Sequence, residues 1–216
     1  INPSRPAEVI GHFAKGDAQS AADAITAATA AFETWQHTPV SERVRYLLHA
    51  AAELRRRKHE FSAVMVYEVG KSWAEADADT SEAIDFLEYY ARQAMRLLDS
   101  SDQLAPYPAE QLSLTYIPLG VGAIIPPWNF ALAIPMGMVA ATLVTGNTII
   151  LKPAGQSPYI AWLLCELFWN AGLPAGVLNF VTGPGSVVGS ALVNDPRTRF
   201  INFTGSREVG CQIYEQ

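Results

Sequence analysis

From Val121 onward one pattern repeats: a short run of β-branched and apolar residues, a turn rich in glycine, proline or asparagine, then an apolar helical stretch. Runs 121–125, 148–151, 177–181 and 200–203 read as strands, and 131–145, 158–170 and 186–194 as the helices between them. Strands joined by crossover helices run parallel, so this half of the chain is an α/β sheet with helices on both faces. In such a sheet ligands gather at the C-terminal ends of the strands. Two strand ends within 120–153 carry polar residues there: Asn129 follows Ile-Ile-Pro-Pro-Trp, and Lys152 follows Thr-Ile-Ile-Leu. Each proline lacks an N–H and biases the residue before it towards extended backbone, so the strand cannot pass straight into a helix. The turn therefore presents its side chains.

The part before Val121 is helical. Asp17 is placed as the N-cap of an alanine-rich helix with Ile25 and Phe32 two turns apart, and Ser41 as the cap of a second, with Val44, Leu47, Leu48 and Ala51 at helical spacing. A break near Lys58 precedes the set Phe61, Val64 and Met65, and Gly70 ends it. A third helix runs from about 72 to 98 with Ile84, Leu87, Ala91 and Leu98 as its stripe and an acidic polar side. After a loop at 100–108, the alternation of Leu112, Leu114 and Tyr116 predicts a strand over 111–118, an arm. The boundaries are then 1–108 for the helical segment, 109–119 for the β-arm and 120–216 for the sheet. The final helix, after Phe203-Thr204-Gly205-Ser206, is still running at Gln216 with its apolar face, Val209 and Ile213, barely begun. That pattern reads as the N-terminal part of something larger.

Charge and apolar content exclude several partners. The 216 residues carry 15 basic and 21 acidic side chains, a formal charge of −6, which argues against nucleic acid. The one basic run, 55–58, is spread around a helix and reads as a solvated face. The longest apolar run, 131–144, is shorter than a membrane span and holds Pro135 and Gly137, so no membrane is expected. Cys165 and Cys211 lack the spacing of a disulfide framework, pointing to a reducing compartment, the cytoplasm. His12, His37, His49 and His59 show no ligand spacing, and no metal site is expected.

The glycine turns 183–189 and 203–206 each lie between a strand and a helix, where N–H groups and the helix dipole favour a phosphate; each is equally readable as an ordinary turn. With Lys152 they make three strand ends suited to a dinucleotide lying along the sheet. The Asn129 amide can donate to a developing oxyanion or satisfy backbone groups nearby. Glu82 and Asp85 share a helix face with Tyr89, either as a site for an ammonium group or as a solvated acidic face. Cys165 reads as core, and Cys211 lies in the second turn of the last helix with Arg207 the only basic residue beside it in sequence.

Four stretches in order, Pro-Leu-Gly-Val-Gly-Ala-Ile-Ile-Pro-Pro-Trp-Asn-Phe, Gly-Asn-Thr-Ile-Ile-Leu-Lys-Pro-Ala, Ala-Gly-Leu-Pro-Ala-Gly-Val-Leu-Asn-Phe-Val and Phe-Thr-Gly-Ser-Arg-Glu-Val-Gly, closely resemble the NAD(P)-dependent aldehyde dehydrogenases. Asn-Pro-Ser-Arg-Pro near the start and Glu-Ala-Asp-Ala-Asp-Thr-Ser-Glu-Ala-Ile-Asp-Phe-Leu-Glu-Tyr-Tyr-Ala resemble the branch that oxidises L-glutamate γ-semialdehyde, the open form of 1-pyrroline-5-carboxylate, to L-glutamate. The resemblance implies a Rossmann-like sheet preceded by the helical segment and a β-arm that pairs subunits, hence a homo-oligomer at full length. It implies Asn129 as oxyanion donor, Phe130 as a wall of the aldehyde pocket and Glu82 as the carboxylate facing the substrate's ammonium group. It places Ile125, Pro126, Pro127, Trp128, Lys152, Gly155, Gly185, Gly189, Phe203, Gly205, Ser206 and Val209 at cofactor-contacting positions.

The sequence departs from the family pattern in three places. Gly155 stands where many NAD-preferring relatives have a glutamate that grips the adenosine ribose; with no carboxylate to repel a 2′-phosphate, NAD is the expected cofactor and NADP is admitted beside it. Ala131 stands where many have proline. The thiolate nucleophile, which forms a thiohemiacetal and then a thioester, and the glutamate that activates water are expected beyond Gln216, since neither cysteine here lies in the nucleophile's motif. Two other readings are a dehydrogenase for another small aldehyde and a non-catalytic nucleotide-binding or interaction module. The 216-residue chain alone is expected to give no steady NADH production from aldehyde and NAD; sustained turnover would contradict the placement of the nucleophile.

Overall fold

The computed structural model describes residues 1–98, 104–105, 107–110 and 112–216. Four strands, β1 (Val121–Ile125), β2 (Thr148–Leu151), β3 (Leu178–Phe180) and β4 (Thr198–Phe203), form one sheet in the order β3-β2-β1-β4, every pair parallel. The registers Ile124↔Leu151, Ile125↔Phe203 and Leu151↔Phe180 bring the C-terminal ends level along one edge. The order makes β2 and β1 the two inner strands, and the turns after them lie side by side.

Side chains alternate across this sheet with the period of two that strands impose. Val121, Ala123 and Ile150 face one way, onto α1 (Ala18–Trp35) through Ala21, Ala24, Ile25 and Ala28. Ile124, Ile149 and Leu151 face the other, into a larger core shared with α5 (Ala133–Val144) and α6 (Pro158–Asn170). Behind those two lie α2 (Val40–Arg56), α3 (Lys58–Val69) and α4 (Trp73–Leu98), and one continuous core runs from Trp35 on α1 to Leu178 on β3. The helical segment and the sheet therefore share their apolar interior. The chain closes with α7 (Ser190–Asn194), which continues a π-helical turn at Gly185–Gly189, and with α8 (Arg207–Tyr214), no residue of which is buried.

Asp17 caps α1 as expected: its carboxylate accepts from the Ser20 N–H at 2.9 Å while Ser20 Oγ accepts from the Asp17 N–H at 3.3 Å. The break near Lys58 is present, α2 ending at Arg56 and α3 starting at Lys58. Ser41 is not a cap. Pro39 occupies that position with φ −53°, and its carbonyl accepts from Glu42 N–H at 3.0 Å, so the ring-fixed backbone starts α2 without a side-chain bond.

The arm also differs from expectation. Gln111 and part of the loop at 100–108 lie outside the described residues, and 112–119 carries no strand pairing among the described residues. Leu112, Leu114, Tyr116, Ile117 and Leu119 are all exposed. An extended segment becomes a strand only against another edge, and this one has none within the described chain.

Before β3 the chain turns at Gly176 with φ +83°, and a Cβ there would stand 2.8 Å from the Ala27 carbonyl of α1. Gly176→Ala is expected to cost about 1–3 kcal/mol, because the left-handed backbone and the backbone contact cannot both relax. A fall in Tm is the readout.

Candidate functional site

Level strand ends create a shelf at the C-terminal edge, and the turns above it carry the polar groups. Lys152 follows β2 and is 5 % exposed, with its ammonium donating to the Pro153 carbonyl at 3.1 Å. Burial pushes its pKa down, because an amine out of water holds its proton less tightly. The stem runs beside the π-helical turn, where a Cβ at Gly189 would lie 3.8 Å from Lys152 Cε. Together they line a cavity of 310 Å³ with Ile125, Gly185, Ser186 and Val209. The opening N–H groups of a helical segment have no partner within it, so Gly185 and Ser186 suit an anionic or hydroxyl-rich ligand. No acidic side chain among the described residues lines this cavity.

The sequence-derived cofactor set does not converge on one cavity. Ile125, Lys152, Gly185, Gly189 and Val209 meet here. Trp128 and Gly155 instead line a second cavity, of 580 Å³, with Glu68, Pro158 and Tyr159. Pro126 and Pro127 form the wall of the turn between them, Pro126 buried and Pro127 half-buried. Phe203 folds its ring over the next turn, where a Cβ at Gly205 would stand 2.7 Å from it, and Ser206 caps α8 by accepting from the Val209 N–H at 3.3 Å. Gly155 has open space around it: a Cβ added there would meet no atom within 4 Å.

Asn129 and Phe130 project from the β1–α5 turn, both exposed. No hydrogen bond joins the Asn129 side chain to another described residue. Its amide stays available as a donor. Glu82 is likewise exposed and unpaired among the described residues, three positions along α4 from Asp79 and so on the part of that helix nearest the turn. Asp85 and Tyr89 are exposed on the same helix.

Sequence reasoning missed the residues that hold this turn. Asp79 is almost wholly buried: its carboxylate accepts from the Ala133 N–H at the start of α5 at 2.7 Å and pairs with Lys71 Nζ at 2.6 Å. The Lys71 ammonium also sits 4.6 Å from the centroid of the Phe130 ring. Glu68 does the same for α6, accepting from Tyr159 N–H at 2.7 Å and Ile160 N–H at 2.9 Å. Burial raises the Glu68 carboxyl above its ordinary range, against the lowering by those two N–H groups. A signal for Asp79 was present, since it falls three residues after Ala76 and four before Ala83, inside the buried stripe of α4. The acidic run around it disguised that position.

Across its full length, residues 1–216, the chain matches the model of the aldehyde dehydrogenase family. The chain belongs to the aldehyde dehydrogenase family. It is 54% identical over 216 residues to 1-pyrroline-5-carboxylate dehydrogenase of Geobacillus sp. (strain WCH70), and spans about 42% of that relative's length. A solved structure of 1-pyrroline-5-carboxylate dehydrogenase from Thermus with bound NAD superposes with a TM-score of 0.95 at 51% identity, covering 100% of this chain and 42% of that one. Proline utilization A from Bdellovibrio bacteriovorus gives 0.96 at 42% identity, with 100% and 22% covered. Against the aldehyde dehydrogenase mechanism the two cysteines are placed clearly. Cys165 is fully buried and its thiol is pushed far up by burial, while Cys211 is exposed on α8.

Proposed function

We propose that this protein, at the full length of its relatives, oxidises L-glutamate γ-semialdehyde to L-glutamate with NAD, NADP also being accommodated. The observation that carries the reading is the unpaired Asn129 amide, exposed on the turn after β1. It is supported by the family match and by the relatives named 1-pyrroline-5-carboxylate dehydrogenase. The bound cofactor would supply the hydride acceptor. Lys152 and the turn at Gly185–Gly189 would hold its adenosine side, with Ile125 and Val209 as apolar walls. Trp128, Gly155 and the Phe203–Ser206 turn extend the same edge on either side.

Asn129 would donate to the carbonyl oxygen as negative charge develops on it, an interaction stronger in the transition state than in the bound aldehyde. Phe130 would wall the aldehyde pocket, and Glu82 would pair with the α-ammonium group. Neither Cys165 nor Cys211 is assigned as the nucleophile. The exposed apolar side chains at 112–119 support an arm that pairs with a second subunit, and the unit 120–216 is read as the cofactor-binding part, with 1–108 packed on it. Two free cysteines support a cytoplasmic location; no described helix is long and apolar enough to cross a membrane.

Two measurements on the full-length enzyme test the reading. Glu82→Ala is expected to raise KM for the semialdehyde by about tenfold or more while leaving KM for a simple aliphatic aldehyde near its original value, since one charge-assisted contact is worth about 1.5–3 kcal/mol. Equal KM changes for both aldehydes would refute the substrate assignment. Gly155→Glu, which the open space tolerates, is expected to shift preference towards NAD, because a carboxylate repels a 2′-phosphate. Titration with NAD against NADP reads it directly.

A further inference from the structure

The turn that carries Asn129 is held by a buried ion pair that the chemistry above does not use. An amide that donates to a reacting oxygen works only if it points there before the reaction, and Asn129 has no hydrogen bond of its own among the described residues to fix it. Among the described residues, what orients it is the backbone on either side. On the near side Pro126 and Pro127 restrict the chain. On the far side the residue after Phe130 is Ala131, not a third proline, so nothing local stiffens the turn there.

Tertiary contacts take over at that point. Lys71 lies over the Phe130 ring, immediately after Asn129, with 4.6 Å from Nζ to the ring centroid. Asp79 accepts from Ala133 N–H at 2.7 Å, four residues after Asn129. The two are joined to each other at 2.6 Å, with side chains 12 % and 1 % exposed, so the ion pair itself is shielded from water while the Phe130 ring it touches is exposed. Gly70, left-handed at φ +71°, ends α3 and delivers Lys71 to this place directly after it.

Resting on the assignment of Asn129 above, we propose that Lys71 and Asp79 are positioning residues that hold the Asn129 amide in its donating orientation by fixing the turn at Phe130 and at Ala133. A buried pair of this kind is not needed to stabilise a helix start, which a serine or an aspartate in the local sequence would serve as well. What the pair adds is a link between the helix start and the ring beside the donor. Displacing a reacting group by 1 Å can cost on the order of a hundredfold in rate.

The test uses the full-length enzyme at saturating aldehyde and cofactor, with Asp79→Asn and Lys71→Gln made alone and in combination with Asn129→Ala. Each single variant is expected to lower kcat by about tenfold to a hundredfold with the cofactor dissociation constant unchanged. With Asn129 already replaced, neither is expected to lower kcat further, since positions that act through one group are not additive. Lys71→Arg, which keeps both the ion pair and the ring contact, is expected to restore kcat. An equal loss in both backgrounds, or wild-type kcat in the single variants, overturns the proposal. Wild-type kcat in Asn129→Ala alone overturns the oxyanion assignment instead. Should Asp79→Asn fail to fold, Lys71→Gln, which keeps a donor for Asp79, decides by the same comparison.

Discussion

Helix α5 has no acidic residue in its first turn, no basic residue in its last, and no side-chain cap of its own. Both ends are instead met by buried charges from the N-terminal helices. Asp79 of α4 accepts from the Ala133 N–H, and Arg43 of α2 donates through Nε to the Val144 carbonyl at 2.8 Å and through a second nitrogen to the Thr38 carbonyl. A negative charge at the N-terminus and a positive one at the C-terminus is the arrangement that the helix dipole favours. Trp35 adds a bond from its indole to the Leu143 carbonyl at 3.3 Å. The position of the β1–α5 turn, and of Asn129 on it, follows from where these side chains stand.

The same device recurs one strand over. Glu68 of α3 meets the start of α6, so both crossover helices that open beside the candidate site are capped by carboxylates from the N-terminal part. Burying such carboxylates carries a desolvation cost that their N–H partners, and for Asp79 the Lys71 ammonium, offset. The N-terminal helices are consequently not an appendage to the sheet. Their apolar faces share its core, and their buried charges fix the two turns at the C-terminal edge of its strands.

The sheet was legible because parallel strands leave a strong local trace: β-branched runs, glycine or proline turns, and helices of the right length between them. All four strands fall where the pattern puts them, with β3 shorter than 177–181 and β4 starting earlier, at Thr198. Lys152 was legible for the same reason, since a residue just past a parallel strand has one place to be, whereas Gly185 and Gly189 lie further on, in the π-helical turn after β3. Less legible were contacts between segments far apart in sequence. Asp79 sits in an acidic run whose charge reads as solvated although its spacing falls in the buried stripe, and the π-helical character of Gly185–Gly189 has no sequence signature. The arm failed as a strand because its pairing partner is not within the described chain.

The sequence by itself determined the order of strands and helices, the residues that stand at the strand ends, and the resemblance that links them to one chemistry, because each is a local property or a motif. Only the tertiary structure decided which charges are buried, which amide has no partner among the described residues, and how the residues that the resemblance named divide between two cavities. Those depend on packing elements far apart along the chain, as Ala133 with Asp79 and Val144 with Arg43 are separated by 54 and 101 positions. Burial turns an acidic residue on a helix into a fixed point for the turn that carries Asn129.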